Sequence, residues 1–324
     1  MPWWKSNRRR ARTCTGAAPD ALLRGTIDPG LTMILVVGAT GLLGAEICGQ
    51  LRTAGEPVRG LVRLGSPRAQ LLRGRGVEVV IGDLRNRGDV ELACRGVRAV
   101  ISTATAMGSK DKRLTLRDID LVAQLQLVEV TKRAGVEHFV YVSASPMLQP
   151  AAPLIGYKRE VERAVRASGM RWTILQPSVF MEVWLSSILG WDIAAGKARV
   201  FGPGDAPMSW ISVADVAAYA VRSLRDLRLV DQVLPLGGPD AVSPNDVVKM
   251  FTELSGRPFT AAHVPLAVLR FLGPVIGLFN EGAASGMSMG AQTAGGDVIE
   301  SPLQREIGLP LTSLRDYAAR VLKV

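Results

Sequence analysis

Histidine and cysteine are scarce in this 324-residue chain, which has two of the first and three of the second. Two histidines leave too few ligands for an ordinary zinc site and argue against a Ser–His–Asp triad, so no metal is expected. His138, just before an apolar run, and His263, in a loop-like stretch ahead of Pro265, read as structural. Cys14, Cys48 and Cys94 show neither metal spacing nor the even number of a disulfide framework. Cys48 and Cys94 fall in apolar, helix-patterned segments and are expected as buried free thiols. No run of about 20 apolar residues exists, so no membrane span is expected. The nearest approach, Val264 to Phe279, is interrupted by Arg270 and Pro274. It reads as a packing or lid helix, with contact to a membrane surface as the sharper alternative. Zinc-finger spacing, a recognition-helix pattern and an RNA-binding aromatic motif are all missing, so nucleic acid is not an expected partner.

Charge is plentiful but uneven. The net charge is +10, and residues 1–32 carry six basic against two acidic groups, which leaves about +6 on the remainder. A basic surface favours anionic ligands, nucleotides among them. No apolar stretch follows Arg8-Arg9-Arg10, so an export signal is not expected and the chain reads as cytoplasmic. Residues 1–32 are expected to be a disordered basic tail.

From Met33 onward, short apolar runs alternate with helical patterns. Strands are expected at Ile34–Val37, Val58–Val62, Val77–Ile81, Ala99–Thr103, Phe139–Val142 and Trp172–Leu175. Helices are expected at Leu42 to Ala54, Leu116 to Ala134 and Leu154 to Ala167. Such alternation implies an α/β, Rossmann-type doubly wound parallel sheet, with ligands at the carboxyl ends of the strands. Residues 33–179 would form the dinucleotide-binding domain and residues 180–324 a smaller C-terminal substrate lobe, partly interwoven with it.

Gly38-Ala39-Thr40-Gly41-Leu42-Leu43-Gly44 joins the first strand to the first helix. Gly38 permits a tight turn, Gly41 lets backbone approach a pyrophosphate, and Gly44 lets the helix pack close to the strand. The spacing is G-x-x-G-x-x-G. NAD sites usually place an acid about 20 residues further on, at the ribose. Here Val58-Arg59-Gly60-Leu61-Val62-Arg63 contains none. Arg63 can pair a 2′-phosphate, so NADP is expected over NAD; a solvated surface arginine is the plainer reading.

The sequence resembles the atypical short-chain dehydrogenase/reductase superfamily, and within it the NmrA-like and isoflavone-reductase-like NAD(P)-binding branch, over residues 33–324. Besides the glycine motif, the resemblance rests on Gly82-Asp83-Leu84, Ser102-Thr103-Ala104, Val140-Tyr141-Val142-Ser143 and Thr173-Ile174-Leu175-Gln176-Pro177. Ile211-Ser212-Val213-Ala214-Asp215-Val216-Ala217 and Gly237-Gly238-Pro239, followed by a helix capped at Ser243, complete it. It implies a cofactor site built from Gly38, Thr40, Gly41, Leu42, Leu43, Gly44, Arg63, Asp83, Leu84, Thr103, Ala104, Ser143, Lys158 and Pro177. Asp83 and Leu84 would lie by the adenine, and Thr103 and Ala104 by a ribose.

The superfamily's common catalytic pattern is Tyr-x-x-x-Lys with a serine one strand away. The resemblance puts the lysine at Lys158 and leaves Leu154 at the tyrosine position. Tyr157 is adjacent to Lys158, about 100° around the helix rather than one turn away. Lys158 is therefore the expected catalytic group, with Ser143 and Tyr157 as the hydroxyls that could replace the missing tyrosine. Leu154, Lys158, Val161 and Val165 form one stripe expected to face the sheet, while Arg159, Glu162, Arg163 and Arg166 mark the expected solvated face. A lysine on the sheet side needs an anionic or hydroxyl partner, which a cofactor ribose would supply, or else it snorkels over apolar surface.

Phe180, Trp184, Trp191, Phe201, Met208 and Trp210 offer bulky apolar lining beyond the sixth strand, or ordinary core. The expected function is an NADP(H)-dependent oxidoreductase acting on a small apolar carbonyl, quinone or phenolic compound. The alternative is a non-catalytic redox sensor or assembly factor that reads NADP occupancy and binds a protein partner. A sugar-nucleotide epimerase is disfavoured by Leu154.

Overall fold

Each apolar run that alternates its side chains between two buried faces becomes a strand covered on both sides. The computed structural model describes residues 32–109, 111 and 113–323. Strand β1 (Met33–Val37) leads into α1 (Leu42–Thr53), then β2 (Val58–Val62), α2 (Ala69–Gly74), β3 (Glu78–Ile81), α3 (Arg87–Ala93) and β4 (Val97–Ser102). A π-helical turn (Arg117–Val122) opens α4 (Ala123–Arg133), followed by β5 (His138–Val142), α5 (Pro153–Arg166), β6 (Arg171–Pro177) and α6 (Met181–Trp184). Next come β7 (Lys197–Phe201), β8 (Met208–Ser209), α7 (Val213–Ser223), β9 (Gln232–Leu236), β10 (Ala241–Val242) and α8 (Pro244–Ser255). The described chain closes with β11 (Thr260–Val264), α9 (Leu266–Gly277), α10 (Glu281–Thr293), α11 (Pro302–Ile307) and α12 (Leu314–Leu322). The expected tail and Cys14 lie outside the described residues, Thr32 excepted.

Seven parallel strands form the central sheet in the order β3-β2-β1-β4-β5-β6-β9. The order reverses between β1 and β4, where Val36 pairs with Gly60 on one side and Ile101 on the other. Ligands bind outside the strand ends at such a switch point. Along β1, Ile34 and Val36 pack into one buried cluster with residues of α1 and α7, while Leu35 and Val37 pack into a second with residues of α3, α4 and α5. Cys48 and Cys94 are buried free thiols, and burial pushes each up to about 12. Ser243 caps α8, its hydroxyl accepting from the Asp246 amide.

Three features depart from the sequence reading. The expected helix from Leu116 to Ala134 begins as a π-helical turn. The seventh strand, β9, went unseen because Pro235 interrupts its apolar pattern; a proline without an N–H fits an edge strand, which has a ladder partner on one side only. His263 belongs to strand β11, paired in parallel with β7, rather than to a loop. Its Nδ1 lies 2.9 Å from the Gly202 carbonyl oxygen. His138 is buried at the start of β5, its Nε2 within 3.0 Å of the Thr173 hydroxyl.

A third cluster, including Trp191, Trp210, Val247, Phe251 and Tyr317, fills the region after β6. Helix α9 keeps Leu269 buried but leaves Phe271, Leu272 and Val275 exposed, with Leu278 and Phe279 beyond it. Among the described residues, no helix is long and apolar enough to cross a membrane.

Candidate functional site

The turn after β1 is shaped by backbone crowding. Gly38 adopts φ +86°, and a side chain there would meet the Thr103 hydroxyl at 2.6 Å. At Gly44 a Cβ would lie 2.2 Å from the Gly38 carbonyl oxygen, so α1 packs against the turn only with glycine in place. Gly41 is the N-cap of α1; it offers no side-chain cap, and the first turn carries no acid. Helices α3, α7, α8, α10, α11 and α12 are capped by their own Asn or Ser side chains. The open amides of α1 and its positive dipole end thus face the switch point, beside Thr40, Leu42 and Leu43. Thr103 closes the other side, its amide and hydroxyl both donating to the Val37 carbonyl. Arg68, which the sequence reading missed, pins the turn by donating from Nη1 to the Thr40 carbonyl at 2.7 Å.

Arg63 follows β2 with its side chain about half exposed, 3.9 Å from the Asp111 carboxylate. Asp83 follows β3 and pairs with Arg85 at 2.6 Å, which holds its carboxyl below the usual range. Asp111 is drawn down to about 2, chiefly by hydrogen bonds from Arg113, with Arg63 assisting. Arg63, Arg85 and Arg113 therefore gather at one edge. Only Arg63 was legible beforehand, because Arg113 reaches this edge from the loop after β4. Leu84 is buried, and its carbonyl accepts from Gln126.

Lys158 lies on the buried stripe of α5 with Leu154, Val161 and Val165, as the helical spacing predicts. Its Nζ donates to the Val142 carbonyl at 3.1 Å and sits 5.3 Å from the centre of the Tyr141 ring. Burial lowers its affinity for the proton, while Asp120 and Glu162 oppose that effect. Glu162 corrects the sequence reading: it is buried, not solvated. The loop after β5 folds against α5, and the Glu162 Oε1 accepts from the Ser143 hydroxyl, from Arg159 at 2.6 Å and from Gln176 at 2.9 Å. Arg159 is likewise partly buried, donating to the carbonyls of Ala144 and Ser145.

The three expected catalytic groups thus have separate partners. The Ser143 hydroxyl turns to Glu162, and the Tyr157 hydroxyl donates to Glu281 of α10 at 3.2 Å. Leu154 packs with Ala106, Leu116 and Ile119, and its amide donates to the Ser285 hydroxyl of α10. Pro177 is buried at the end of β6. Asp297 joins the loops after β5 and β6 by accepting from the hydroxyls of Ser145 and Ser178.

Trp184, Phe201, Met208 and Trp210 line a small, partly open hollow, with Arg199 among its walls. Trp184 and Phe201 meet edge to face at 5.8 Å. Among the described residues, no group of three or more His, Cys, Asp or Glu is placed to hold a metal ion.

The NmrA-like family profile matches residues 31–318. The chain belongs to the NmrA-like family. Its relatives include a (4-alkanoyl-5-oxo-2,5-dihydrofuran-3-yl)methyl phosphate reductase of Streptomyces griseus, 32% identical over 89% of this chain and 97% of that protein. An NAD(P)H azoreductase of Xenophilus azovorans is 33% identical over 70% of this chain and 75% of its own length. Among solved structures, the NADPH complex of a quinone oxidoreductase from Escherichia coli superposes with a TM-score of 0.72 at 23% identity, covering 89% of this chain and 99% of that one. The likeness shows that the NmrA-like chain has the Rossmann-type fold of that structure.

Proposed function

We propose that this chain is an NADP(H)-dependent oxidoreductase acting on a small apolar carbonyl, quinone or conjugated alkene. The observation that carries the reading is the uncapped, glycine-cradled N-terminus of α1 at the switch point, with no acid at the end of β2. A pyrophosphate fits this turn, because the first amides of α1 carry no side-chain cap and no acid stands in the first turn to repel it. The amides of Leu42 and Leu43 would hold the phosphates, and Arg63 with Arg85 and Arg113 would meet the 2′-phosphate. Asp83 and Leu84 would border the adenine, and Thr103, Ala104 and Pro177 would line the path of the ribose and nicotinamide.

When bound, the dinucleotide supplies or accepts a hydride. Lys158, held by Val142, would bind ribose hydroxyls and deliver a proton to substrate oxygen. Ser143 and Tyr157 would act indirectly: Ser143 by fixing Glu162 and Arg159, Tyr157 by tethering α10 through Glu281. Trp184 and Phe201 would offer apolar lining to such a substrate, while Met208 and Trp210 belong to the core. Residues 33–179 would form the cofactor side and residues 180–324 the substrate side. The dihydrofuranone phosphate reductase and the azoreductase support reduction as the chemistry. A compartment that supplies NADPH, the cytoplasm, suits the reading.

The test is NADPH oxidation against a panel of quinones, azo compounds and unsaturated lactones, beside calorimetry of NADPH binding. Turnover with at least one class is expected. Tight NADPH binding without turnover would replace this reading by a sensor or assembly factor, an outcome that the occupied hydroxyls of Ser143 and Tyr157 make worth testing.

A further inference from the structure

Backbone pairing between β5 and β6 ends where Val142 stands beside Leu175, with the Ser143 amide donating to the Leu175 carbonyl at 2.8 Å. Pro177, at the end of β6, has no N–H with which to continue the ladder. Side chains take over beyond that point. The Ser145 hydroxyl donates to Asp297 Oδ1, and the Ser178 hydroxyl donates to Asp297 Oδ2 at 2.7 Å. All three residues are buried, Asp297 completely. Hydroxyls from two different loops thus occupy both oxygens of one carboxylate.

The same two loops are joined a second time through α5. Arg159 donates to the Ser145 carbonyl at 2.6 Å and to the Glu162 carboxylate at 2.6 Å, and Gln176 donates to Glu162 at 2.9 Å. These bonds close a ring that runs from Glu162 through Arg159, Ser145, Asp297 and Ser178, and back along β6 to Gln176. Lys158 precedes Arg159 on α5, and its Nζ is bonded to Val142 at the end of β5. Asp297 is the one member of the ring from beyond β6. Its own main chain is fixed on that far side: its amide donates to the Pro207 carbonyl at 3.0 Å, and its carbonyl accepts from the Ser209 amide at 2.9 Å. A buried polar network whose members are all bonded holds its parts rigidly.

A Rossmann-type sheet takes its dinucleotide as two mononucleotide halves, at the carboxyl ends of the strands. The glycine turn after β1 serves the first half, and the ends of β4, β5 and β6 serve the second. We propose that Asp297 is the positioning residue of the nicotinamide seat: by holding Ser145 and Ser178 it fixes the loops after β5 and β6 that border the nicotinamide. This rests on the reading of the chain as an NADP(H)-dependent oxidoreductase. Asp297 acts through the two serines and transfers no proton.

The experiment uses the full chain and calorimetry with two ligands, NADP+ and 2′-phosphoadenosine diphosphoribose, which is NADP+ without its nicotinamide. The parent protein should prefer NADP+. Asp297→Ala should lose about tenfold in NADP+ affinity, while affinity for the nicotinamide-free ligand changes less than about twofold. Asp297→Asn should restore most of the preference, because an amide accepts from one hydroxyl and donates to the other. A merely structural role would lower the melting temperature and leave the ratio of the two affinities unmoved. An unmoved ratio in Asp297→Ala, a parent protein without preference, or an Asp297→Asn protein no better than Asp297→Ala overturns the proposal. If Asp297→Ala does not fold, Ser178→Ala takes its place; it removes one hydroxyl and leaves Ser145 on the carboxylate. The ratio should shift in the same direction, and an unmoved ratio overturns the proposal equally. These measurements need no turnover. A chain that reduces no substrate but shows the shifted ratio loses the reductase reading alone, and turnover with an unmoved ratio loses the role of Asp297 alone.

Discussion

The Ser143 hydroxyl donates to the Glu162 carboxylate across the junction of β5 and α5, in a buried cluster that also takes in Arg159 and Gln176. One carboxylate thus terminates three donors from three different segments. Glu162→Ala would leave the Arg159 charge and two polar side chains without their acceptor. Removing one partner of a buried ion pair costs about 3–5 kcal/mol. Chemical denaturation should show a loss of that order, with Glu162→Gln losing less. A Glu162→Ala protein as stable as the parent would show that the cluster is idle.

Gly44→Ala tests the cradle. The new methyl would meet a backbone oxygen, which has little freedom to yield. Overpacking of this kind costs about 1–3 kcal/mol. The melting temperature should fall, and NADPH affinity should fall with it because the turn must open. Unchanged melting and unchanged affinity together would contradict the close packing of α1 on the turn.

Arg63 separates the two dinucleotides. Its side chain is 55% exposed and its contact with Asp111 is long, so Arg63→Ala should leave folding stability almost untouched. NADPH binding should weaken by about 1.5–3 kcal/mol through loss of a charge-assisted hydrogen bond, while NADH binding stays level. Calorimetry with both cofactors decides it; equal losses for the two would remove Arg63 from the 2′-phosphate site.

His138 makes stability depend on pH. Burial, helped by Arg171, lowers it from the ordinary value of 6.5 to about 4, against a raising influence from Asp231. Between those values the unfolded chain binds the proton and the folded chain does not, so stability falls as pH drops from about 6.5 toward about 4. Above that window the group is neutral in both states and contributes no slope. The loss on acidification should reach about 3 kcal/mol. His138→Gln should flatten the pH dependence of denaturation across this window, and an unchanged slope would count against the assignment.

The sequence by itself determined the alternation of strands and helices, the glycine cradle and the sheet-facing placement of Lys158. Each is written in local periodicity or in a backbone need that glycine alone meets. The same reasoning put Glu162 on the solvated side, because a helix with one apolar stripe offers no local sign that a second surface will cover its flank. That surface is the loop from Ser143 to Leu148, folded against α5 and held by Arg159 and Asp297. Strand β9 was hidden for a related reason: its edge position, decided by the neighbours it lacks, is what lets Pro235 stay in it. The arginines around Asp111 were likewise settled only by packing. They bring together segments far apart in the chain, and charge or burial at such a meeting is a property of the assembled core rather than of any stretch of sequence.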